Sequence, residues 1–426
     1  MRSFGKFWAI ASASAIIAGV LAMASSSFAQ VKPGDFITDE NAAKVQDLIT
    51  PGQMLRVQHG MSLKVVPTER IDWPPPYKEA TEKYSAQVRL TPDGRSLVGY
   101  VAGEPFPIVD DNDPHAGDKV MWNEAFRPIS SDDYDLRWFD CDSEYWGKNA
   151  SFRQIVDYEV GHYAGYNEVG RTEVDPIPID PDFKSTGRYY LNLLYPVLQP
   201  EDARGTGLIK FRYADPNRDD DAWTWTPGTR RVRRLNYSIL DTAAGPQAYD
   251  PNHYEGFSGK NENYDFKMLG EKNMLAAINV GHSPDVRCPT DGGASHCPDP
   301  WEIRHMYVIE AKPRPGHFVS LYSHEVLYLD SEAVFVMAND IYDRSGQLFI
   351  NYTSWMYYAD RSEPDARIAI YPFKREFQVG SSSINVQSGF ATVCYHPSMH
   401  APSRDSWFIN MGAIDRNWFT PEQMAR

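Results

Sequence analysis

The sequence predicts a mainly β protein in which a large antiparallel sheet carries a few helices on one face. Short apolar runs with the alternation typical of strands dominate the chain after about residue 88, and turn-forming residues separate them. No segment predicts a helix long enough to connect parallel strands, so antiparallel pairing is favoured. Aromatic residues, which are enriched in strands, make up 13% of the chain.

Two short helices are expected before the strands begin. Thr38 is a favourable cap for the first helical stretch, which is predicted to end at Pro51 and Gly52. The proline run that starts at Pro74 predicts the beginning of a second helix, which continues through Tyr84.

Strands account for most of the remaining predicted elements. Apolar residues at 209, 211 and 213 alternate with Lys210 and Arg212, which is typical of a strand with one solvent-exposed face. Pro- and Asp-rich segments between strands are interpreted as ordered loops of one domain. The other predicted strands are Val88–Leu90 and Val98–Tyr100 around the turn Thr91–Gly94, Met306–Ile309, a meander of Phe318–Leu329, Val334–Tyr342 and Leu348–Ile350, the segment of Ile368 and Ile370, and Phe390–Val393.

The first 29 residues have the organisation of a signal peptide. Arg2 and Lys6 precede an apolar run over residues 8–24, and the small residue Ala29 fits cleavage before Gln30. No cysteine stands at the cleavage point, so a lipid anchor is not expected there. An uncleaved N-terminal anchor is the alternative interpretation.

The predicted mature chain, residues 30–426, is a single β domain with a helical N-terminal extension that is exported to the periplasm. Its formal net charge of −15, counted over the full chain, argues against nucleic acid and against broad binding to anionic membranes. Nucleotide-dependent chemistry is also not expected in that compartment. Nucleic acid and nucleotides are therefore excluded as expected partners.

The four cysteines of the mature chain fall into two groups. Cys288 and Cys297 flank a short Gly-rich loop, and in an oxidising compartment they predict a local disulfide. A metal site is the alternative, but no second Cys or His pair has zinc-finger spacing. Cys141 and Cys394 are far apart in sequence, which leaves open whether they pair or remain two buried thiols.

A β-hairpin is predicted over residues 222–235, with Pro227 and Gly228 as its two-residue loop. This register places six side chains on one face: Trp225 opposite Arg230, Trp223 opposite Val232, and Asp221 opposite Arg234. We interpret this face as the wall of an amphiphile site, where indoles contact the apolar part and arginines the acidic head. The alternative is a pair of core strands whose arginines reach solvent. The predicted ligand-binding residues are Trp223, Trp225, Arg230, Val232 and Arg234.

The sequence contains no motif of a recognised catalytic site. A Gly-x-Ser-x-Gly elbow, a phosphate-binding loop, a dinucleotide fingerprint and a His-Glu-x-x-His motif are all missing. Pro397 between His396 and His400 disfavours a helical metal pair, and the acidic segment 110–113 lacks the spacing of a calcium loop. We therefore expect no catalytic residues, no metal and no cofactor.

Several strings resemble domain of unknown function 1329, from about Ile37 to the C-terminus. They are Arg171–Phe183, Trp223–Leu235, Leu269–Leu275, Cys288–Cys297 and Tyr328–Ala333. The family is similar to the LolA/LolB lipoprotein carriers, which implies a curved, unclosed half-barrel with helices on its concave face. The resemblance also implies partners, namely an inner-membrane transporter of the resistance–nodulation–division type and an outer-membrane protein. It supplies no catalytic residues.

These observations predict a periplasmic carrier for a lipid, a lipoprotein acyl chain or another hydrophobic compound, accessory to an envelope transporter. A carrier needs no reactive groups, which agrees with the missing motifs, and a half-barrel would shield an apolar compound from water. Two alternatives remain at this stage. One is an adaptor that docks a transporter or an outer-membrane partner without cargo, and the other is a periplasmic hydrolase that uses loop carboxylates.

Overall fold

Sixteen of the strands in the described part of the chain form one large mixed sheet, which is not closed into a barrel. This confirms the predicted mainly β class. The computed structural model describes residues 31–147, 155–235, 248, 250, 252–281, 293–295, 300–315, 321–420 and 423. The predicted leader and the predicted Cys288–Cys297 disulfide lie outside these residues, so both stay predictions.

Strands are the main elements of this part of the chain. They are β1 Phe36–Ile37, β2 Leu63–Val65, β3 Arg89–Leu90, β4 Leu97–Val98, β5 Asp133–Tyr145, β6 Ile155–Asn167, β7 Arg188–Gln199, β8 Gly207–Tyr213, β9 Asp221–Thr226, β10 Arg231–Leu235, β11 Tyr264–Ala276, β12 Pro300–Pro313, β13 Tyr322–Asp330, β14 Phe335–Asp343, β15 Leu348–Ala359, β16 Arg375–Asn385, β17 Phe390–Tyr395 and β18 Trp407–Ile409. The α-helices are α1 Pro51–Gln58, α2 Pro75–Tyr84, α3 Ala116–Ala125 and α4 Phe183–Thr186. Short 3-10 helices cover Asp39–Val45, Ser85–Gln87, Pro128–Ser130, Tyr254–Gly256, Asn261–Asn263 and Arg416–Trp418.

The strand order of the large sheet is β1-β2-β12-β13-β14-β15-β16-β17-β5-β6-β7-β8-β9-β10. β11 pairs with the other edge of β12, and β18 pairs with β5. The pairing is antiparallel except between β2 and β12. β3 and β4 form a separate small sheet around the predicted turn. The predicted antiparallel pairing is thus largely correct, with one short parallel contact.

Most predicted elements are present, including the meander of β13, β14 and β15 and the helix that follows Pro74. Two of the predicted elements were wrong. Pro51 begins a helix instead of ending one, because Thr50 accepts a hydrogen bond from the Gln53 amide and a proline fits the first helical turn. The segment of Ile368 and Ile370 lies in a loop, and both side chains are exposed.

The two faces of the large sheet carry different helices. Neighbouring residues of a strand point to opposite faces, and on β14 the Asn339 amide donates to the Gly256 carbonyl while Asp340 accepts from the Gly52 amide. We call the first side, which carries α3 and the segment 252–263, the inner face. The side that carries α1 is the outer face, so the helices are divided between the two.

Arg56 fastens α1 to the outer face of the sheet. Its guanidinium is completely buried, and its three nitrogens lie within hydrogen-bond distance of six acceptor atoms in Asn351, Ser382, Gly293 and Ala294. The donor–acceptor distances are 2.6 Å to Asn351 Oδ1, 2.8 Å to Asn351 O, 2.8 Å to Ser382 Oγ, 2.9 Å to Ser382 O, 3.0 Å to Gly293 O and 2.9 Å to Ala294 O.

The close approach of α1 to the sheet also requires a glycine at position 52. A Cβ atom at Gly52 would lie 2.3 Å from Cβ of Asn351 and 2.5 Å from Oδ1 of Asp340, so no larger residue fits without movement of the helix. Residue 52 therefore sets how near α1 lies to β14 and β15. Among the described residues, no helix has the length and apolar character needed to cross a membrane.

Candidate functional site

Two adjoining cavities lie on the inner face of the sheet. The first, which we call the inner cavity, has a volume of about 100 Å³ and is bounded by α3, strands β5–β8 and the segment 255–262. The second, which we call the side cavity, has a volume of about 50 Å³ and lies beside β5, β16 and β17. Tyr163 and Glu255 line both cavities, so the two form one candidate site.

Strand alternation builds the polar wall of the inner cavity. Tyr190 and Asn192 of β7 face it, and they pair directly with Arg212 and Lys210 of β8. The sequence predicted that Lys210 and Arg212 would meet solvent, and this was wrong. They are only 4% and 8% exposed, because the segment 252–263 covers their side of β8 and accepts hydrogen bonds from Arg212.

Aromatic rings line much of the rest of the inner cavity. Trp122 and Phe126, at the end of α3, lie 6.3 Å and 5.5 Å from the ring of Tyr189 in edge-to-face contacts. The rings of Tyr134 and Tyr163 follow at 5.5 Å from each other. Rings in such contacts offer a flat apolar surface to a bound compound, and their hydroxyl groups can still donate a hydrogen bond.

A glycine on β6 makes room for this wall. Residue 165 pairs with Tyr134 across the two strands, and the tyrosine ring lies directly over it. A Cβ atom at Gly165 would be 2.2 Å from Cε1 of Tyr134. Any side chain at Gly165 would therefore displace the Tyr134 ring, and the space beside that ring is the inner cavity.

The two arginines of the inner cavity are neutralised by protein carboxylates. Arg127 forms ion pairs with Glu124, at 2.7 Å, and with Glu255. Arg212 forms one with Asp220 at 2.8 Å and also donates to the Gly259 carbonyl. Such buried pairs hold the walls in place and leave little free charge on either guanidinium.

Lys210 differs from these arginines. No described residue forms a hydrogen bond or an ion pair with its Nζ atom, which lies 5.9 Å from the ring centre of Tyr190. Burial lowers the pKa of Lys210 to about 7, with Arg212 acting in the same direction. The cavity therefore contains one amine that is ready to accept an external partner.

Buried carboxyl groups in the same cavity have raised pKa values. Burial raises the pKa of Glu124 to about 7 and that of Glu262 to about 7. One carboxylate oxygen of Glu262, Oε1, has no hydrogen-bond partner among the described residues. Both carboxyls are thus harder to ionise than exposed glutamates, and at Glu124 the ion pair with Arg127 opposes this effect.

Replacing Glu262 by glutamine should reduce the loss of stability at alkaline pH. Since the folded-state pKa lies above the ordinary value of 4.5, the stabilising contribution is complete below about pH 4.5 and is lost as the pH rises through 7. Urea unfolding measures the free energy of unfolding at each pH. Between about pH 5 and pH 9, we expect this free energy to fall by up to about 3 kcal/mol less in Glu262→Gln than in the wild type. The exposed Glu79→Gln should follow the wild type, and equal pH profiles for all three proteins would contradict the assignment.

The side cavity is more apolar than the inner cavity. Phe139 and Tyr254 line it beside His396, and burial lowers the pKa of this histidine to about 3, so the imidazole is neutral. Cys141 also lines it and forms a disulfide with Cys394, its direct cross-strand neighbour on β17. The sequence had left this pairing open. The linkage places an apolar sulfur bridge in the cavity wall.

The predicted hairpin is present, but its register differs from the prediction by two residues. Its loop has four residues, Pro227–Arg230, and Arg230 lies in the turn with φ near +49°. A shift of two residues keeps the alternation of side chains, so four of the predicted site residues still share a face. The observed pairs are Thr226 with Arg231, Trp225 with Val232, and Trp223 with Arg234.

That face of the hairpin is opposite the inner cavity. Trp223 pairs with Ile209, whose neighbour Lys210 points into the cavity. Both tryptophans are partly buried in a cluster with Ile209 and Phe419, and Arg234 forms an ion pair with Asp221. The structure thus brings the tryptophans together with Val232 and Arg234, and leaves Arg230 in the turn. Their role as ligand-binding residues stays a prediction.

The residues of the two cavities were not identified from the sequence. The alternation of Lys210 and Arg212 with apolar residues is visible in the sequence. We interpreted this alternation as the solvent-exposed face of a strand, whereas the two side chains line a cavity. The sequence of helix α3 gave no such indication, because the helix is buried on most sides and lacks a polar stripe. What the arrangement can do is bind a small compound that has both an apolar part and a polar end.

Comparisons with solved structures find matches at low identity. A DUF1329 family protein from Desulfovibrio piger is 16% identical, with a TM-score of 0.49, and the match covers 74% of this chain and 100% of that one. A domain described as an outer membrane lipoprotein-sorting protein domain, from Vibrio parahaemolyticus, is 15% identical, with a TM-score of 0.47 and coverage of 72% and 97%. A LolA superfamily protein from Nitrosomonas europaea is 10% identical, with a TM-score of 0.35 and coverage of 68% and 91%.

No curated protein matches the chain. The family model described as protein of unknown function (DUF1329) matches residues 36–425, which is nearly the whole sequence. The extent of this match agrees with the resemblance seen in the sequence. The chain belongs to the DUF1329 family.

Proposed function

We propose that the protein binds a hydrophobic compound in the inner and side cavities and carries it through the periplasm. The observation that carries this proposal is the continuous aromatic lining of two adjoining cavities on one face of an open sheet. Seven aromatic side chains line the inner cavity alone: Trp122, Phe126, Tyr134, Tyr163, Tyr189, Tyr190 and Phe257. Burying an apolar surface against such walls is favourable by about 25 cal/mol per Å².

The size of the cavities limits the compound. Pockets for drug-sized ligands have volumes of about 300 Å³ or more, whereas these measure about 100 and 50 Å³. The cargo is therefore a small amphiphile, or a larger lipid that inserts only one end. An accessory role beside an envelope transporter and an outer-membrane protein is part of the proposal, and only the family resemblance supports it.

Native mass spectrometry of protein purified from the periplasm, followed by extraction of bound compounds, tests the proposal directly. A non-covalent adduct of defined mass is the expected result. Protein that is consistently empty and that binds no alcohol or fatty acid of medium chain length would overturn the carrier function. An empty protein that cross-links to an envelope transporter in cells would instead favour an adaptor.

Gly165→Ala should weaken ligand binding tenfold or more without unfolding the protein. The added methyl group pushes the Tyr134 ring towards the inner cavity and removes space from it. Gly228→Ala is the matched control, since nothing lies within 4 Å of its Cβ position. Isothermal titration with octanol measures the affinity, and thermal melting checks the fold. Equal affinities in both variants would place the ligand elsewhere.

The hairpin face is kept as a second proposed ligand wall, and one variant separates the two locations. Trp225→Ala removes an indole from the face opposite the inner cavity. Loss of affinity in Trp225→Ala but not in Gly165→Ala would favour the hairpin. Loss in Gly165→Ala alone would favour the inner cavity.

A further inference from the structure

The basic side chains of the inner cavity differ in one respect that bears on the ligand. Arg127 and Arg212 are both held by buried carboxylates. Lys210 is buried to the same degree, yet within the described part of the chain no oxygen atom accepts a hydrogen bond from its Nζ. Burying an ammonium without a partner is strongly unfavourable, and an anion placed beside it removes most of that penalty.

The position of Lys210 also suits a ligand contact. Its side chain lines the inner cavity between Asn192, its cross-strand neighbour, and the ring of Tyr190. At 5.9 Å, the ring centre of Tyr190 is at the outer limit of a cation–π contact and does not replace an anion. A head group bound here would have the aromatic wall of Trp122 and Phe126 beside it for an apolar chain.

We propose that Lys210 binds the carboxylate head group of an amphiphile whose apolar part lies on the aromatic walls of the two cavities. This rests on the proposed carrier function and specifies its ligand as anionic. A single lysine balances one negative charge, and Glu124, Glu255 and Glu262 line the same cavity. A monoanionic carboxylate is therefore favoured over a phosphate, which carries up to two charges.

Some charged groups around Lys210 raise its pKa and others lower it. Arg212 lowers the pKa of this lysine, whereas Asp220, Glu255 and Asp250 raise it, and burial outweighs them so that the value is about 7. At neutral pH about half of the molecules thus carry a charged Lys210, and binding of a carboxylate takes up a proton. Other titratable groups that line the cavity are Tyr134, Tyr163, Tyr189, Tyr190, Glu124, Arg127 and Glu262.

The test compares octanoate with octanol, which have the same chain and differ in charge. Isothermal titration of the full-length mature protein at about pH 7 should show octanoate binding at least tenfold tighter than octanol. In K210M this preference should vanish, because octanoate loses its ionic contact and octanol has none to lose. K312M is the matched control, because Lys312 is exposed and pairs with Glu310. It should keep the wild-type preference. Octyl phosphate, as a third ligand, should bind more weakly than octanoate.

Proton uptake provides a second readout that a merely structural role would not give. Titrations in two buffers of different ionisation enthalpy should show uptake of a proton with octanoate above pH 7 in the wild type and none in K210M. Octanoate affinity should fall by about tenfold per pH unit above 7. Since K210M removes a buried amine, the variant should be at least as stable as the wild type near pH 6, and K210Q serves as a second neutral variant.

The outcomes separate this inference from the carrier function. Equal affinities for octanol and octanoate would overturn the proposal of an anionic head group but not the carrier function. The same holds if K210M and K210Q retain the preference for octanoate. Tighter binding of octyl phosphate than of octanoate would overturn the carboxylate in favour of a phosphate. A failure of every alcohol, carboxylate and phosphate to bind would overturn the carrier function and this inference together.

Discussion

Replacing Cys141 and Cys394 together by alanine is expected to lower the free energy of unfolding by about 5 kcal/mol. The disulfide joins β5 to β17 and closes a chain segment of 253 residues. In the chain-entropy treatment, stabilisation grows with the logarithm of the loop length, so a bridge of this span is near the upper end of the range.

Guanidinium chloride unfolding of the wild type and of C141A/C394A under oxidising conditions measures this effect. The comparison variant is C288A/C297A, whose predicted local loop would contribute about 2.7 kcal/mol at most in the same treatment. Reductant should destabilise the wild type and leave a variant lacking all four cysteines unaffected. A C141A/C394A protein as stable as the wild type would contradict the proposed role of the bridge.

Loss of the bridge should also loosen the side cavity. Cys141 lines that cavity beside Phe139, and alanine leaves space where the sulfur atoms were. Enlarging an apolar cavity weakens the packing of its walls, so β5 and β17 should exchange their amide hydrogens faster in the variant.

Much of the fold follows from local patterns in the sequence. Strand β8 and the meander of β13, β14 and β15 follow from alternation and turn residues, since both signals are local. The residues that share a face of the hairpin were also predicted correctly despite the error in register. Side chains alternate with a period of two, so a shift of two residues leaves each side chain on the same face. The start of α1 was misjudged because proline is common both just after a helix and in the first turn of one.

The candidate site could not be predicted in the same way. Alternation at Lys210 and Arg212 is the same whether the polar side of a strand meets water or a polar cavity, and only the packing of the segment 252–263 decides between them. Helix α3 is buried on most sides, so its sequence has no amphipathic stripe to reveal its position. Pairing of Cys141 with Cys394 depends on β17 lying next to β5, which is a property of the whole sheet.

Arg56→Met is expected to destabilise the protein by about 3–5 kcal/mol, because each buried acceptor left without its hydrogen bond costs about 1–3 kcal/mol. The guanidinium is fully buried and satisfies acceptors in Asn351 and Ser382 and in two backbone carbonyls. Methionine fills a similar volume but donates no hydrogen bond, so most of these acceptors would be buried without a partner. The adjacent buried Asp340 would also lose a nearby positive charge that lowers its pKa.

Arg56→Lys separates the contribution of the positive charge from that of the hydrogen-bond geometry of the guanidinium. An ammonium has three donors and no planar fork, so it can replace only part of these hydrogen bonds, and we expect about half of the loss seen in the methionine variant. Arg367→Met is the matched control, because that residue is exposed in a loop and should change the stability by less than about 0.5 kcal/mol. Urea unfolding followed by tryptophan fluorescence measures all three variants. If Arg56→Met proved as stable as Arg367→Met, α1 would be held to the outer face by its apolar contacts alone, and the arginine network would contribute nothing to its position.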